Sequence, residues 1–312
     1  MESLQICITA ILPIFLIMAV GYLAKRSGLI RETEVPRMNA VAFKVFMPVM
    51  CFYNVYTSDL SSAVRPGLIA FTVPAILAVY GLSLGYALLF VPERGRRSVV
   101  IQGLYRSNYA ILGLPLAAGL AQDGDIGVAA VLGAIVVPLF NVLAVITLEV
   151  YNGTKTDKRK LLLEIVKNPL ILGSAAGLLF LLTGLRLPSP LESAARDMAR
   201  AASPLMLFLL GAFFHFDGIG RHRGELAAVC LGRLVLIPAL VLGVAAALGF
   251  RGVELITLLA VFASSTAVSS FTMAQQLGGD ASLAGDIVVC TSALASLTLF
   301  GWSFLLKLLN FF

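Results

Sequence analysis

Two stretches of the 312-residue chain set polar residues among apolar ones. The first reads Arg106-Ser107-Asn108-Tyr109-Ala110-Ile111-Leu112-Gly113-Leu114-Pro115, the second Ser264-Ser265-Thr266-Ala267-Val268-Ser269-Ser270-Phe271-Thr272. Neither brings a nucleophile beside a base. No GxxxxGK[ST] phosphate loop and no HExxH zinc pair occurs in the chain, and enzyme chemistry finds no support. The two histidines, His215 and His222, fall beside Arg221 and Arg223 without a metal-ligand companion and read as loop residues. What the two stretches can do is bind. Pro115 lacks an N–H and crowds the carbonyl four residues earlier, near Ile111, so the helix there is prone to break. Two broken helices that crossed would aim exposed N–H groups and positive dipole ends at one spot, which holds an anion without an obligatory basic side chain.

The elements that must carry these stretches are membrane helices. Hydrophobic residues make up 59% of the chain, charged ones 13%, and mean hydropathy is +0.95. Soluble domains run at roughly 45–50% and about 25%. Runs such as Ile126–Val150 and Ala227–Phe250 are near-continuous, unlike the short alternation of an outer-membrane barrel. With about 20 residues per crossing, spans are expected at Gln5–Ala24, Val35–Tyr53, Gly67–Phe90, Val99–Leu120, Ile126–Val150, Ile165–Thr183, Ala195–Phe214, Leu226–Leu248, Val253–Leu277 and Leu283–Leu308. The fold class is therefore an all-α polytopic membrane protein of ten transmembrane helices. Lys25, Arg26, Arg31, Arg37, Arg94, Arg96, Arg97, Lys155, Lys158 to Lys160, Lys167, Arg221 and Arg223 fall in alternate loops. The positive-inside rule then puts both termini outside and the loop Asn152–Lys167 in the cytoplasm. The net charge of +6 is spread over these loops and signals topology rather than nucleic-acid binding. Cys7, Cys51, Cys230 and Cys290 lie in apolar segments and read as buried, inert thiols. Met1-Glu2-Ser3 lacks the basic start of a signal peptide, so the first apolar stretch is expected to stay in the mature protein.

An internal repeat connects the two polar stretches. Pro13 and Pro169, Gly21 and Gly177, Gly28 and Gly184, and Pro48 and Pro204 all differ by 156 positions. That offset moves the first span onto the sixth, so the unit has five spans, and an odd number inverts the second copy. The expected organisation is a first five-helix repeat at 1–151, a cytoplasmic loop at 152–164 and an inverted repeat at 165–312. The same shift carries Asn108 to Ser264, so both polar stretches occupy equivalent positions near the midplane. Small residues also serve plain helix packing, the simpler reading of Gly173 and Gly177.

Ser107-Asn108-Tyr109 running into Gly113-Leu114-Pro115-Leu116 resembles the R-G-N-Y-x-x-x-G-L-P motif of the auxin efflux carrier family, which includes PIN-like and bacterial malonate and malate permeases. Lys167-Asn168-Pro169 and Ala202-Ser203-Pro204-Leu205-Met206-Leu207 with Gly211-Ala212 resemble its second-half patterns, and the likeness covers essentially the whole chain. It implies a scaffold domain and a transport domain, crossed broken helices 4 and 9, and elevator-type secondary transport of small organic anions such as mono- or dicarboxylates. The chain departs from the family at the ninth helix, where Ser264–Thr272 lacks the usual Pro; hydroxyls that bond the preceding turn are the alternative means of bending it. Asn141, in Val137-Pro138-Leu139-Phe140-Asn141, matches a fifth-helix pattern. The substrate-binding residues expected are Ser107, Asn108, Tyr109, Gly113, Pro115, Asn141, Ser264, Ser265, Thr266, Ser269 and Ser270.

Intramembrane charges are the remaining candidates, since each costs about 2.5–3.5 kcal/mol at the bilayer centre on insertion scales. Arg106 either attracts the anion or snorkels to the headgroups. Lys44, well inside the second span, is expected to pair with a carboxylate. Arg233 is near enough to a helix end to snorkel. Asp286 and Glu149 are candidates for coupling, with ordinary interfacial placement as the alternative, and Asn54 is a further candidate. No cofactor and no metal is expected; the coupling ion, H+ or Na+, stays open. The partners are an organic anion and the lipid bilayer, with no nucleic acid, and a homodimer joined through the scaffold domain is compatible with the likeness. Two alternatives remain: a sodium-coupled bile-acid-type symporter of the same fold, and a membrane sensor that binds without transporting. The short loop between the halves fits a prokaryotic cytoplasmic membrane.

Overall fold

The computed structural model describes residues 2–58, 64–121, 127–151, 158–215 and 220–312. In order come α1 (Glu2–Arg26), α2 (Val35–Tyr56), α3 (Pro66–Phe90), α4 (Arg94–Tyr105), α5 (Tyr109–Leu120), α6 (Gly127–Tyr151) and α7 (Lys158–Lys167). Then follow α8 (Pro169–Thr183), α9 (Ser189–Phe213), α10 (Arg223–Ala247), α11 (Gly252–Ala263), α12 (Ser269–Gln276) and α13 (Ala281–Leu308). Among the described residues no strand forms. By length and composition α2, α3, α6, α10 and α13 can each cross a membrane. The expected loop at 152–164 is partly helix: α7 begins at Lys158, while residues 152–157, with Lys155, lie outside the described residues, as does Ile126.

Local chemistry sets the ends and bends of these helices. Pro169 opens α8, where the Asn168 side chain accepts a hydrogen bond from the Leu170 N–H at 3.0 Å; Asp280 caps α13 in the same way through Leu283. The turns after α1 and α8 each need a left-handed residue, supplied by Gly28 (φ 78°) and Gly184 (φ 70°), a pair 156 positions apart. Three helices contain a wide π turn: Ala42–Phe46, Tyr109–Gly113 and Gly232–Leu236. In each the N–H one residue past the turn reaches back five residues, Met47 to Ala42, Leu114 to Tyr109 and Ile237 to Gly232. The next residue is Pro48, Pro115 or Pro238. A proline cannot donate and crowds the carbonyl four residues back, and the wider turn ahead of it relieves that crowding.

Two groups of helices pack around a large hydrophobic core, with a small separate cluster of Ile30, Val35 and Ala212. In the first, α1 lies along α9 and the second half of α2 lies along α8. Both pairs approach to backbone contact: a Cβ on Gly21 would fall on the Phe208 carbonyl, and one on Gly177 on the Phe52 carbonyl. The two contacts exchange when 156 is added to Gly21 and Phe52, so the sequence spacing has a counterpart in the packing. In the second group α3 packs on α4, α4 on α6, α6 on α11 and α12 on α13, enclosing the polar stretches. A GxSxG pattern at Gly81 to Gly85 falls within α3. There the Ser83 hydroxyl donates to the Val79 carbonyl and the helix runs on, so the exposed strand-to-helix turn of a hydrolase is absent.

Candidate functional site

The α4–α5 and α11–α12 pairs are each one apolar segment broken near its middle, and the two breaks touch. Ser107 and Thr266 form an isolated antiparallel bridge. The Asn108 N–H donates to the Ser265 carbonyl at 2.8 Å and the Ala267 N–H to the Arg106 carbonyl at 3.3 Å. These two bonds exchange under a shift of 159 positions, three more than the offset of the earlier helices. Ala267, rather than Ser264, is therefore the counterpart of Asn108 at the crossing, and Thr266 that of Ser107. No proline is needed to open the second break, because other chain segments satisfy what it frees: the Thr266 hydroxyl donates to Gly103 at 2.9 Å, its N–H donates to the Thr291 hydroxyl at 3.2 Å, and Ser292 donates to the Ser265 hydroxyl at 3.2 Å.

A chamber of about 50 Å³ lies beside the crossing, lined by residues 106–111 of the first break, 267–269 of the second, and Asn54, Val137, Phe140, Asn141 and Ser203 among others. A larger cavity of about 400 Å³ shares Asn54, Ala110, Val137 and Asn141 with it and reaches Thr57 and Ser58 after α2 and Gly127 at the start of α6. Both α5 and α12 begin at the chamber. The first N–H groups of a helix have no intrahelical acceptor, and each N-terminus carries about half a positive charge. On its wall Ser107 Oγ and Asn108 Nδ2 are buried with no hydrogen-bond partner; Ser270 Oγ is likewise unpartnered, but Ser270 lines neither cavity. Such groups cost about 1–3 kcal/mol each while unpaired, which a polar ligand would relieve.

Arg106 lies on the chamber wall and is 2% exposed, so it does not snorkel. Its guanidinium donates to Asn141 Oδ1 at 2.6 Å, Gln102 Oε1 at 3.0 Å and Met273 Sδ at 2.8 Å, all uncharged. No carboxylate pairs with it among the described residues. Asn141 also donates to Cys51 Sγ at 3.3 Å. Cys51 lines the larger cavity; Cys230 and Cys290 are half-buried free thiols, and Cys7 falls in α1.

The other expected residues divide by position. Tyr109 contributes to the chamber wall, but its hydroxyl is committed to the Ala129 carbonyl at 2.7 Å. Gly113 is a packing residue, since a Cβ would stand 2.7 Å from the Tyr109 ring and 2.9 Å from the Ala260 carbonyl. Pro115 is exposed and borders neither cavity. The Ser264 hydroxyl donates to Ala260 at 2.6 Å, and Ser264, Ser265 and Thr266 hold the crossing together rather than line the chamber. Ser269 does line it. Lys44 is exposed and makes no ion pair among the described residues, against the expected carboxylate partner. Asp286 does not line the chamber and pairs with His222 at 3.0 Å, both side chains being nearly inaccessible. His222 is thus a buried residue at the start of α10, not a loop histidine. His215 is the half-exposed one, bonded to Lys25 at 2.8 Å. Glu149 is partly buried on the last turn of α6.

The snorkelling expected of Arg233 is overturned. The residue is fully buried and donates to four carbonyls: Ser264 at 2.9 Å, Val261 at 3.0 Å, Tyr105 at 3.2 Å and Leu104 at 3.3 Å. The one local signal was its position inside an apolar run directly after Gly232, where a Cβ would stand 2.6 Å from Leu104 Cδ2.

The family described as membrane transport protein matches residues 6–303. An uncharacterised transporter of Methanothermobacter thermautotrophicus is 24% identical over 302 residues, covering 95% of this chain and 97% of the relative. An uncharacterised transporter of Methanocaldococcus jannaschii is 21% identical over 308 residues, with the same coverage of 95% and 97%. These descriptions are of membrane transporters, not enzymes.

Proposed function

Since the chain belongs to the membrane transport protein family, the auxin efflux carrier family, we propose that it is a secondary carrier of small organic anions, mono- or dicarboxylates, with its site at the crossing of α4–α5 and α11–α12. One observation carries this reading: Arg106, a buried guanidinium without a carboxylate partner, beside the two unpartnered polar atoms of Ser107 and Asn108 and two helix N-termini. A buried cation bonded only to neutral groups leaves a net positive site that an anion completes. The mirrored contacts of Gly21 with Phe208 and Gly177 with Phe52 support two inverted five-helix repeats, 1–151 and 165–312. The bundle of α1, α2, α8 and α9 serves as the scaffold, and the helices around the crossing move against it as an elevator. Both termini face outside the cytoplasmic membrane, so the larger cavity, at the ends of α2 and α6, opens outward.

Counterflow of labelled malonate, malate, succinate and indole acetate in proteoliposomes tests the reading. Exchange of at least one carboxylate is expected, and its loss in Asn108→Ala with the fold retained. Failure of every carboxylate to move would remove the carrier reading. An Asn108→Ala protein as active as wild type would remove the crossing as its site.

A further inference from the structure

Arg233 has no part in the anion site, yet it is among the most completely buried charges in the chain. Its three guanidinium nitrogens bind carbonyls from two different half-helices: Leu104 and Tyr105 end α4, and Val261 and Ser264 end α11. The last four carbonyls of any helix lack an intrahelical partner, and the end carries about half a negative charge. Two such ends converging on one point amount to about one negative charge, the match of a single guanidinium. No carboxylate shares this task among the described residues.

The surrounding structure is built to deliver this side chain. Gly232 lets α10 close onto Leu104, and the π turn Gly232–Leu236 starts at the same residue. That turn is tied down from α13, where the Trp302 indole N–H donates to the Leu234 carbonyl at 2.9 Å. In transporters with discontinuous helices, unwound carbonyls and C-terminal half-helix ends are the groups that coordinate a coupling sodium or proton. Here the carbonyls that converge are already occupied by N–H donors.

We propose that Arg233 is a resident cation of the crossing: its tethered guanidinium takes the place that a coupling cation takes at such half-helix ends. The carrier therefore needs no sodium to assemble its anion site. Resting on the anion-carrier reading above, translocation then proceeds without sodium. Arg233 acts as a positioning residue, fixing the two half-helices whose partners across the break face the chamber.

Thermal unfolding of the purified protein at constant ionic strength, in sodium, lithium, potassium or choline chloride, tests the assignment without any transport. The wild-type midpoint is expected to be the same in all four salts; a rise specific to sodium or lithium overturns the proposal, because it requires a vacant cation site. Arg233→Lys, which keeps the charge, and Arg233→Gln, which does not, are expected to rank below wild type in that order, Arg233→Gln failing to fold being the extreme of the same order. Arg233→Gln matching or exceeding Arg233→Lys overturns it. Where neither variant folds, the wild-type salt series decides. Anion counterflow in sodium against N-methylglucamine is expected at a rate ratio of about one; a strong sodium requirement overturns the resident cation and leaves the carrier. Absence of flux for every anion overturns the carrier and leaves the assignment to the thermal series.

Discussion

Replacing Arg106 by Met tests the anion site at its charge. The guanidinium donates only to Asn141, Gln102 and Met273, so a bound carboxylate is its sole anionic counterpart among the groups described. Two unit charges 4 Å apart attract by about 4 kcal/mol at an effective dielectric of about 20, before desolvation is counted. Hydrogen bonds to a charged group net about 1.5–3 kcal/mol. Taking the smaller figure as the realised loss, Arg106→Met should weaken anion binding by roughly ten- to 150-fold, at 1.4 kcal/mol per tenfold. Arg106→Lys keeps the charge and should lose less. Stability should fall as well, because Asn141 Oδ1 and Gln102 Oε1 lose their donor, so thermal unfolding accompanies the assay. Binding is read from competition of unlabelled carboxylate against labelled carboxylate on the purified protein. Affinity of folded Arg106→Met within about twofold of wild type would show that the anion does not meet this charge.

Three further outcomes follow from the packing and the cavity. Gly21→Ala and Gly177→Ala each press a methyl onto a backbone carbonyl and should cost about 1–3 kcal/mol of stability in thermal or denaturant unfolding; Gly81→Ala meets open space and should not, and equal effects would refute the close contacts. With the native cysteines replaced, Ala134→Cys on the larger cavity should react with an impermeant thiol reagent added outside intact cells. Labelling only after permeabilisation would reverse the proposed orientation. His222→Leu strands Asp286 and should cost about 3–5 kcal/mol, while the double variant His222→Leu with Asp286→Leu should lose less; a double variant less stable than the single would refute a coupled pair.

The polar stretches were legible because a membrane helix has few reasons to carry Ser107-Asn108 or Ser264-Ser265-Thr266 in its middle. Their meeting was legible only approximately. The 156-residue spacing holds for Gly21 and Gly28, but three added residues before the second break shift the register, and spacing alone assigned Asn108 to Ser264. Arg233 was opaque for a different reason. The carbonyls that hold it lie 28–31 and 128–129 positions away, and nothing beside it in sequence marks them, whereas a nearby helix end suggests an easy exit to water. His222 was misread likewise, its partner Asp286 lying 64 residues on. Pro115 misled in the opposite sense: the break expected near Ile111 is only a π turn within the continuous helix Tyr109–Leu120, the true interruption lies at residues 106–108, and the proline itself faces outward.

The three π turns bear on how chains of this kind can change in length. An extra residue in an α-helix turns everything beyond it by about 100°, which in a membrane would swing lipid-facing and core-facing side chains into each other's places. A π turn absorbs one surplus residue locally and returns both flanks to register. At Ala42–Phe46, Tyr109–Gly113 and Gly232–Leu236 this protein therefore has points where a one-residue gap inside an apolar helix is structurally silent for the helix ends. Relatives as distant as 21–24% identity are expected to align across such gaps with their helix faces preserved, and an alignment that forbids gaps within helices would misassign the residues on one side of each.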